Sequence, residues 1–506
     1  MTQNRQPKSI DAADLPLSVD AAAATAAYVQ LANQLQALIE SRALPSGVKL
    51  PATRALARAL AINRNTVVAS FERLASLGWI EAYGRGGTVV SNLSRQIAAT
   101  SRDRTGNRAA RIAGGSGRAE PVGPGVVASF RGAKPSSRRV STSSPASPPR
   151  FDFRLGSADP SPLPIEVWRR ACREAGRQLP GAGYGDPTGE IELRTQVALY
   201  LGRTRAMRVD PAQVMITAGA GQAIERLAEV ILRPKDRAAV EEPGYPRAVR
   251  ALRRFGASLM AVPVDADGID TSVLFAQKKT PKVIHLTPSH QYPTGARLSP
   301  ARRHALIQWA ANHDVVIIEN DYDGEFRYGT APLPALGALA GFDHIAYVGT
   351  FSKVLSPAIR LGFVVARPNL IGAMSAVVAQ TRDAVSVVTQ RIVTWLIRSG
   401  ELERHIRRTR RSYASRRSTM LEALARIPQV EAVIGHAAGL HVVVQVRART
   451  ATRNLPTRLQ RAGVLVDRVA DFQSGAGTDS RLLLAYGHLT EAEIVTGLQV
   501  LGAALG

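Results

Sequence analysis

Apolar residues at helical spacing mark the first foldable segment, residues 16–91. A helix is predicted over 27–44, with an apolar face made of Tyr28, Leu31, Leu35, Leu38 and Ile39. A second helix is expected to begin at an N-cap, Thr53, and a third helix after a tight turn that ends at Asn63. Two strand-like runs, 79–83 and 88–90, then flank a Gly-rich tip. Three short helices followed by a hairpin predict a winged helix-turn-helix.

Polar residues at the start of the predicted third helix are candidates for contact with DNA. Arg64, Asn65 and Thr66 can reach base edges or phosphates if this helix enters a major groove. Arg54 on the second helix and Arg85 on the hairpin tip suit contact with phosphates or the minor groove. The alternative is a small structural domain whose arginines are simply solvated.

The apolar pattern dissolves between residues 92 and 150. Ser, Pro, Gly, Ala and Arg dominate there, and eleven Lys or Arg outnumber two acids, Asp103 and Glu120. This composition predicts a flexible basic linker. Its charge could add salt-sensitive DNA affinity that is independent of sequence, or the segment could be a solvated tether only.

From residue 151 to residue 506, apolar runs alternate with helical patterns. Strands are predicted at 214–217, 237–240, 259–264, 283–286, 315–319, 345–348 and 362–365. This alternation favours an α/β fold with a mostly parallel sheet that is covered on both faces. After about Met374 the pattern changes to a long helical region with strands at 442–446, 464–466 and 482–485, which indicates a smaller C-terminal α+β lobe.

A lysine follows the strand predicted at 345–348. Lys353 lies among small hydroxylated residues, Thr350 and Ser352, and Arg360 comes seven residues later. A lysine amine in a partly desolvated pocket can form a Schiff base with an aldehyde cofactor. Hydroxyl groups and an arginine suit the phosphate of such a cofactor. Taken alone, the stretch also fits a lysine in a surface loop.

Further candidate groups follow other predicted strands, at the edge of the sheet where ligands of such folds bind. Gly219, Ala220 and Gly221 can expose backbone N–H groups at a helix N-terminus, which suits a phosphate. Tyr245 can stack on a planar ring, and Arg247 lies close to it in sequence. Each segment could be a solvated loop, but a planar phosphorylated aldehyde accounts for all of them together. Polar and aromatic side chains of 288–295 and 319–323 complete the set.

The first segment resembles the GntR-type winged-helix domain along its whole length. The matching residues are Leu44-Pro45-Ser46-Gly47, Leu50-Pro51, Arg54, Leu56-Ala57, Arg64-Asn65-Thr66-Val67, Leu74, Gly78 and Gly86. The resemblance implies that operator DNA is contacted by Arg54, Arg64, Asn65, Thr66, Arg85 and Gly86.

Residues 151–506 resemble the fold-type I aminotransferases that depend on pyridoxal 5′-phosphate. Five motifs carry the resemblance: YGDPTGEIELR, EEPGYPR, PSHQYPTG, ENDYDGEFRY and GTFSKVLSPAIRLG. With its GntR-like head, the whole chain resembles the MocR family of transcriptional regulators, which includes the GabR and PdxR types.

The resemblance implies roles for matching positions. Lys353 is expected to form the internal aldimine, Tyr245 to stack on the pyridine ring, and Tyr322 to hydrogen-bond the phenolic oxygen. Arg481 matches the arginine that binds a substrate carboxylate, and Arg247 is a second candidate anion contact. The residues expected near the phosphate are Gly219, Ala220, Gly221, Thr350, Ser352, Arg360 and, from the partner subunit, Tyr184.

Two positions depart from the aminotransferase pattern. Tyr292 stands where an asparagine usually precedes Pro-Thr-Gly. Asn320 stands where an aspartate usually pairs with the pyridine nitrogen, and Asp321 follows it. Adjacent strand residues point to opposite faces, so either the register shifts by one or the ring meets a neutral amide. An amide would weaken ring protonation, which favours a sensor with little turnover.

Charge and composition add the last constraints. The 506-residue chain has a formal net charge of +25 and a pI of about 11.0, which suggests a polyanionic partner or a generally Arg-rich proteome. The single cysteine, Cys172, excludes an internal disulfide and fits a reducing cytoplasm. No apolar run approaches the ~20 residues of a membrane span.

The sequence therefore predicts a winged-helix head at 16–91, a linker at 92–150 and an aminotransferase-like body at 151–506. The expected function is DNA-binding regulation by a homodimer, arranged head to tail, that senses an amine, an amino acid or pyridoxal phosphate. The alternatives are an active aminotransferase that carries a DNA-binding head, and a DNA-binding protein whose body holds no cofactor.

Overall fold

The computed structural model describes most of the chain outside the predicted linker. The described residues are 10–12, 15–20, 27–41, 43–76, 79–83, 87–91, 150–328, 334–435, 437–447, 454–475 and 479–506. The expected linker at 92–150 therefore lies outside them, except for Arg150, and so do Arg85 and Gly86.

The N-terminal head contains three helices and a two-stranded antiparallel sheet. These are α1 (Ala27–Glu40), α2 (Thr53–Ala59), α3 (Arg64–Ser76), β1 (Ile80–Tyr83) and β2 (Gly87–Val90). Their apolar side chains form one core, which includes Leu31, Leu35, Leu56, Leu74 and Val90. The predicted three-helix head with its strand pair is confirmed.

Two details of the head prediction are wrong. Helix α1 ends at Glu40 rather than at 44, and Leu44 instead packs in the core from the connection that follows. Thr53 is the first residue of α2, where Ala52 occupies the N-cap without a side-chain hydrogen bond. Asn63 does support the start of α3, because its Oδ1 accepts a hydrogen bond from the Asn65 backbone N–H at 2.8 Å.

The body opens with the short strand β3 (Phe151–Asp152) and contains a large eight-stranded sheet. Its strands are β4 (Val214–Thr217), β5 (Arg237–Glu242), β6 (Ser258–Asp265), β7 (Gly268–Ile269), β8 (Val283–Leu286), β9 (Val316–Asp321), β10 (Ile345–Thr350) and β11 (Gly362–Val365). The order is β4-β11-β10-β9-β8-β5-β6-β7. The sheet is mostly parallel; β11 runs antiparallel to both of its neighbours, and β7 pairs antiparallel with β6.

Helices cover both faces of this sheet. They include α4 (Ile165–Ala175), α5 (Ile191–Arg205), α6 (Ala220–Ile231), α7 (Pro246–Arg254), α8 (Thr271–Phe275), α9 (Pro300–Asn312), α10 (Leu336–Ala340), α11 (Pro368–Thr381) and α12 (Val387–Arg398). Val364 packs in a core with α6 and α11, whereas its neighbour Val365 packs in a core with α5 and α12. Because both faces are buried, the strands read as continuous apolar runs.

The C-terminal lobe is smaller and mainly antiparallel. It contains α13 (Glu401–Leu424), β12 (Val430–Ile434), β13 (His441–Val446), α14 (Leu455–Arg461), β14 (Val464–Leu465), β15 (Asp467–Arg468), β16 (Leu482–Ala485) and α15 (Glu491–Leu505). The sheet order is β12-β13-β16-β15, and β14 pairs with β3. Apolar side chains of α13 and α15 pack on this sheet, so the predicted α/β body with a smaller C-terminal lobe is confirmed. Among the described residues, no helix combines the length and apolar character that a bilayer crossing requires.

Candidate functional site

A cavity of about 830 Å³ lies at the carboxyl ends of β9 and β10. Segments that are far apart in sequence line it, because the turns after several strands meet at this edge of the sheet. Its lining includes the following predicted residues: Gly219, Ala220, Gly221, Tyr245, Arg247, Asn320, Tyr322, Thr350, Ser352, Lys353 and Arg360. The structure thus brings together the residues that the sequence placed after separate strands.

Lys353 projects into the cavity from the turn that follows β10. Its Nζ donates a hydrogen bond to the backbone oxygen of Gly156 at 2.6 Å. The Lys353 pKa is lowered to about 8, mainly by burial and to a smaller extent by the positive charge of Arg247. The Asp323 carboxylate opposes this shift, because its negative charge raises the pKa. About a tenth of this amine is therefore neutral, and hence nucleophilic, at pH 7, far more than for an unshifted lysine.

One end of the cavity is suited to a phosphate group. Gly219 has a φ of +86° and precedes the first turn of α6, so backbone N–H groups point toward this end. A side chain at Gly219 would come within 3.9 Å of the Ser352 hydroxyl. Arg360 supplies positive charge on the same side. These features provide the donors and the charge that a dianion needs.

An aromatic wall bounds another side of the cavity. The Tyr245 and Tyr292 rings meet edge to face, with 5.4 Å between their centroids. Tyr292 also contacts Tyr322 edge to face at 5.6 Å. Such a wall is suited to contact with a planar ring. Tyr292, which departs from the aminotransferase pattern, therefore belongs to the wall of the site.

Asn320 and Asp321 point to opposite sides of β9. Asn320 lines the cavity, and its buried Oδ1 has no hydrogen-bond partner among the described residues. Asp321 accepts hydrogen bonds from Arg205 Nε at 2.9 Å and from the Tyr347 hydroxyl at 2.8 Å. Asp321, which was included among the cofactor candidates, therefore lies away from the cavity because the strand alternates and Arg205 holds it.

A neutral histidine lies beside the Asn320 amide. The His285 Nε2 is 3.5 Å from Asn320 Nδ2, and the His285 ring stacks near Tyr245. Burial lowers the His285 pKa to about 4, so the imidazole is uncharged at neutral pH. The Asn320 amide that lines the cavity at this point is thus backed by a neutral imidazole.

Tyr322 follows β9, and its hydroxyl group contacts the buried side chain of His290. Its hydroxyl oxygen lies 3.1 Å from His290 Nδ1. Burial and the Asp323 carboxylate raise the Tyr322 pKa, so the phenol keeps its proton at neutral pH. His290 and Asp323 received no role from the sequence, although the motifs PSHQYPTG and ENDYDGEFRY contain them.

Besides Asp321, two predicted residues do not line the cavity within this chain. Arg481 forms a two-pronged ion pair with Asp479, with Nε–Oδ1 at 2.9 Å. The Tyr184 side chain is 72% exposed, and its hydroxyl accepts a hydrogen bond from Arg382 Nη1 at 3.0 Å. The sequence assigned Tyr184 to the site of a partner subunit, and its exposure leaves it accessible to one.

The predicted DNA-contacting residues of the head are mostly solvent-facing. Arg54, Arg64 and Asn65 are exposed, and Thr66 is partly buried. Arg64 Nε lies 3.5 Å from Thr53 Oγ1, so the starts of α2 and α3 are close together. This arrangement places positive charge and an amide on one surface of the head.

Two family models match the chain. Residues 27–90 match the bacterial regulatory proteins of the gntR family, and residues 152–501 match aminotransferase class I and II. The chain is 30% identical to the pyridoxine biosynthesis transcriptional regulator PdxR of Corynebacterium glutamicum, over 94% of this chain and 95% of that protein. It is 32% identical to the probable rhizopine catabolism regulatory protein MocR of Rhizobium meliloti, over 78% and 76% of the two chains.

The body also resembles a solved aminotransferase. This is the α-aminoadipate aminotransferase LysN of Thermus thermophilus, in complex with N-(5′-phosphopyridoxyl)-L-leucine. The two share 28% identity with a TM-score of 0.64, over 70% of this chain and 92% of that one.

A GntR-type head joined to an aminotransferase class I and II body defines a helix-turn-helix transcriptional regulator. Similarity over nearly the full length places the chain within one group of these regulators. The protein belongs to the MocR family.

Proposed function

We propose that this regulator binds pyridoxal 5′-phosphate in the cavity and changes its DNA binding when an amine, an amino acid or the cofactor itself occupies the site. The observation that carries the proposal is Lys353, whose amine lies in the cavity with a pKa lowered to about 8. A surface-loop lysine would have neither the burial nor the surrounding aromatic and anion-binding groups.

The cavity residues fit each part of this cofactor. Pyridoxal 5′-phosphate supplies an aldehyde that amines can bond to and a ring that can withdraw electrons. Lys353 offers the amine, and Tyr245 and Tyr292 offer a wall for the ring. Gly219 and Arg360, with the N-terminus of α6, offer binding groups for the phosphate.

Asn320 supports a sensing role over efficient catalysis. Its side chain lines the cavity where an acid would otherwise stabilise a protonated ring, and its amide oxygen has no hydrogen-bond partner among the described residues. An amide beside the neutral His285 holds ring protonation less strongly than a carboxylate does. Weak protonation of the pyridine ring would limit electron withdrawal by the ring, and hence turnover. The covalent bond between Lys353 and the cofactor does not depend on ring protonation.

Sensing requires that the ligand bind two states of the regulator with different affinity. We propose a homodimer arranged head to tail, in which Tyr184 of each subunit completes the site of the other. A change at the shared site would then alter the spacing of the two heads on a repeated operator. Arg64, Asn65 and Thr66 on α3 are the proposed DNA-reading residues, and Arg54 the proposed phosphate contact.

The test is a visible absorbance titration of the purified full-length protein with pyridoxal phosphate, followed by a panel of amines. The wild-type protein should gain a band that Lys353→Ala lacks and that a matched surface change, Lys278→Ala, retains. One amine, or the cofactor alone, should change operator affinity in the wild type and not in Lys353→Ala. A wild-type protein without a band would remove the cofactor from the proposal.

An active aminotransferase with a DNA-binding head is the second candidate, since Lys353 and Tyr322 both face the cavity. Sustained conversion of an amino donor and a keto-acid acceptor, abolished in Lys353→Ala, would favour it.

A further inference from the structure

A buried histidine–aspartate pair lies directly behind Tyr322. His290 Nδ1 is 2.7 Å from Asp323 Oδ2, and the two side chains are 3% and 1% exposed. The same Nδ1 is 3.1 Å from the Tyr322 hydroxyl oxygen. The resemblance to aminotransferases implies that Tyr322 hydrogen-bonds the phenolic oxygen of the cofactor, whereas His290 and Asp323 have no assigned role.

The distances settle where the proton of His290 Nδ1 lies. An unprotonated Nδ1 would face the Asp323 oxygen lone pair to lone pair at 2.7 Å, so Nδ1 carries a proton and donates it to Asp323. Tyr322 therefore cannot donate to this nitrogen, and its oxygen can only share the N–H as an acceptor. Tyr322 also hydrogen-bonds the Asp323 carboxylate, so its phenolic proton can be donated either to that carboxylate or to a group in the cavity.

The pair also contacts the C-terminal lobe. A Cβ built on Gly439 would lie 2.2 Å from His290 Cε1 and 2.9 Å from Asp323 Oδ2. The Gly439 backbone N–H donates to the Phe326 oxygen at 2.8 Å, and its carbonyl accepts from Tyr328 at 2.8 Å. The segment that carries Tyr322 is thus hydrogen-bonded to the lobe just before β13.

We propose that His290 and Asp323 are positioning residues that direct the Tyr322 hydroxyl toward the cofactor and connect its position to the C-terminal lobe at Gly439. This inference rests on the proposed cofactor site. A shift of the lobe would move His290 through its contact with Gly439, and with it the donor in the cavity. The pair would therefore transmit the state of the site to the rest of the body.

Other ionisable groups face this pair and are common to all variants below. His441 of β13 packs with its ring 5.4 Å from His290, and burial lowers its pKa to about 4, so it stays neutral. Arg327, Lys353, Tyr328 and Tyr486 also lie within the electrostatic reach of Asp323.

The test is the pH midpoint of the visible absorbance of the cofactor-loaded, full-length protein. The Tyr322 hydroxyl would donate a hydrogen bond to the phenolic oxygen of the bound cofactor. Loss of this donor disfavours the deprotonated state of the bound cofactor, so Tyr322→Phe should raise the midpoint by roughly one pH unit. His290→Leu should raise it similarly, and the double variant should show no further rise. His290→Asn should restore most of the wild-type value, because the amide can still donate to Asp323.

Glycine variants test the connection to the lobe. Gly439→Ala places a methyl group against His290 and should raise the midpoint as His290→Leu does. Gly341→Ala is the matched control, because its φ of +72° resembles the +76° of Gly439, yet no atom lies within 4 Å of its added carbon. The control should lose stability through its positive φ alone and should not move the midpoint.

Three results would overturn the inference while leaving the cofactor site intact. These are an unchanged midpoint in His290→Leu, additive effects with Tyr322→Phe, or no rescue by His290→Asn. If Gly439→Ala does not fold, the His290 series decides the question alone. A wild-type protein that gains no visible band overturns both this inference and the proposed function.

Discussion

Under the proposed function, Lys353 controls the pH at which the cavity can bond covalently to an aldehyde. Its folded-state pKa is lowered to about 8, chiefly by burial, so the neutral amine becomes the major form only above that pH. The rate of covalent cofactor capture should therefore rise with pH up to about 8 and level off beyond it. Stopped-flow absorbance across pH 6 to 10 measures this rate. A rate still rising steeply above pH 9 would mean that the amine is not desolvated.

Asn320 offers a second residue-scale prediction. Asn320→Asp would place a carboxylate at the cavity, where it would favour a protonated pyridine ring. Turnover of amino donors should increase by about tenfold, equivalent to one unit of pKa. Asn312→Asp, on the exposed end of α9, is the control for added negative charge. Equal turnover in both variants and the wild type would show that the amide does not limit the chemistry.

The residue scale also shows what the sequence could and could not predict. Strand alternation predicted that only one of Asn320 and Asp321 could face the cavity, and the structure selects Asn320. The partner that fixes Asp321, Arg205, is 116 residues away in sequence, so no local pattern identified it. Gly156, which accepts the Lys353 hydrogen bond, is 197 residues away from that lysine and has no chemical signature.

At the element scale, helix α3 carries a prediction about DNA binding. Arg64→Ala removes an exposed positive charge at its first residue and should weaken operator binding by about 1–3 kcal/mol, with a shallower salt dependence. Arg58→Ala, also exposed but in the last turn of α2, is the charge-matched control. Fluorescence anisotropy at several salt concentrations measures both variants. Equal losses would indicate a general charge effect and no specific role for α3.

Elements were easier to predict than their ends. Buried strands such as β4, β8 and β11 match the predicted ranges, because continuous apolar runs bounded by polar residues leave little choice. The strands β9 and β10 extend further, to Asp321 and Thr350, since sheet pairing orders polar residues that no apolar pattern includes. Helix α1 is shorter than its apolar pattern, because Leu44 reaches the same core from a turn.

At the scale of the whole molecule, Tyr184 tests the proposed dimer. It is exposed in its own chain and away from that chain's cavity, so a role at the cofactor requires a second subunit. Tyr184→Phe should weaken cofactor affinity by about fivefold to tenfold, the effect of one lost hydrogen bond. Tyr83 lies in β1 of the head, so Tyr83→Phe serves as a control for loss of a hydroxyl. Unchanged affinity in a protein shown to be dimeric would remove Tyr184 from the site.

The ion pair between Arg205 and Asp321 has a consequence for how such a chain can change over evolution. Loss of Arg205 would strand the buried Asp321 carboxylate, and loss of Asp321 would leave Arg205 with Glu325 alone. Breaking such a buried pair typically costs about 3–5 kcal/mol, so selection acts strongly against substitution at these two positions. Asn320 carries no comparable constraint, and a single-nucleotide change converts an Asn codon into an Asp codon. Adjacent positions on β9 therefore differ sharply in evolvability: one is fixed by the fold, and the other, under the proposed function, would allow a lineage to move between sensing and catalysis in one step.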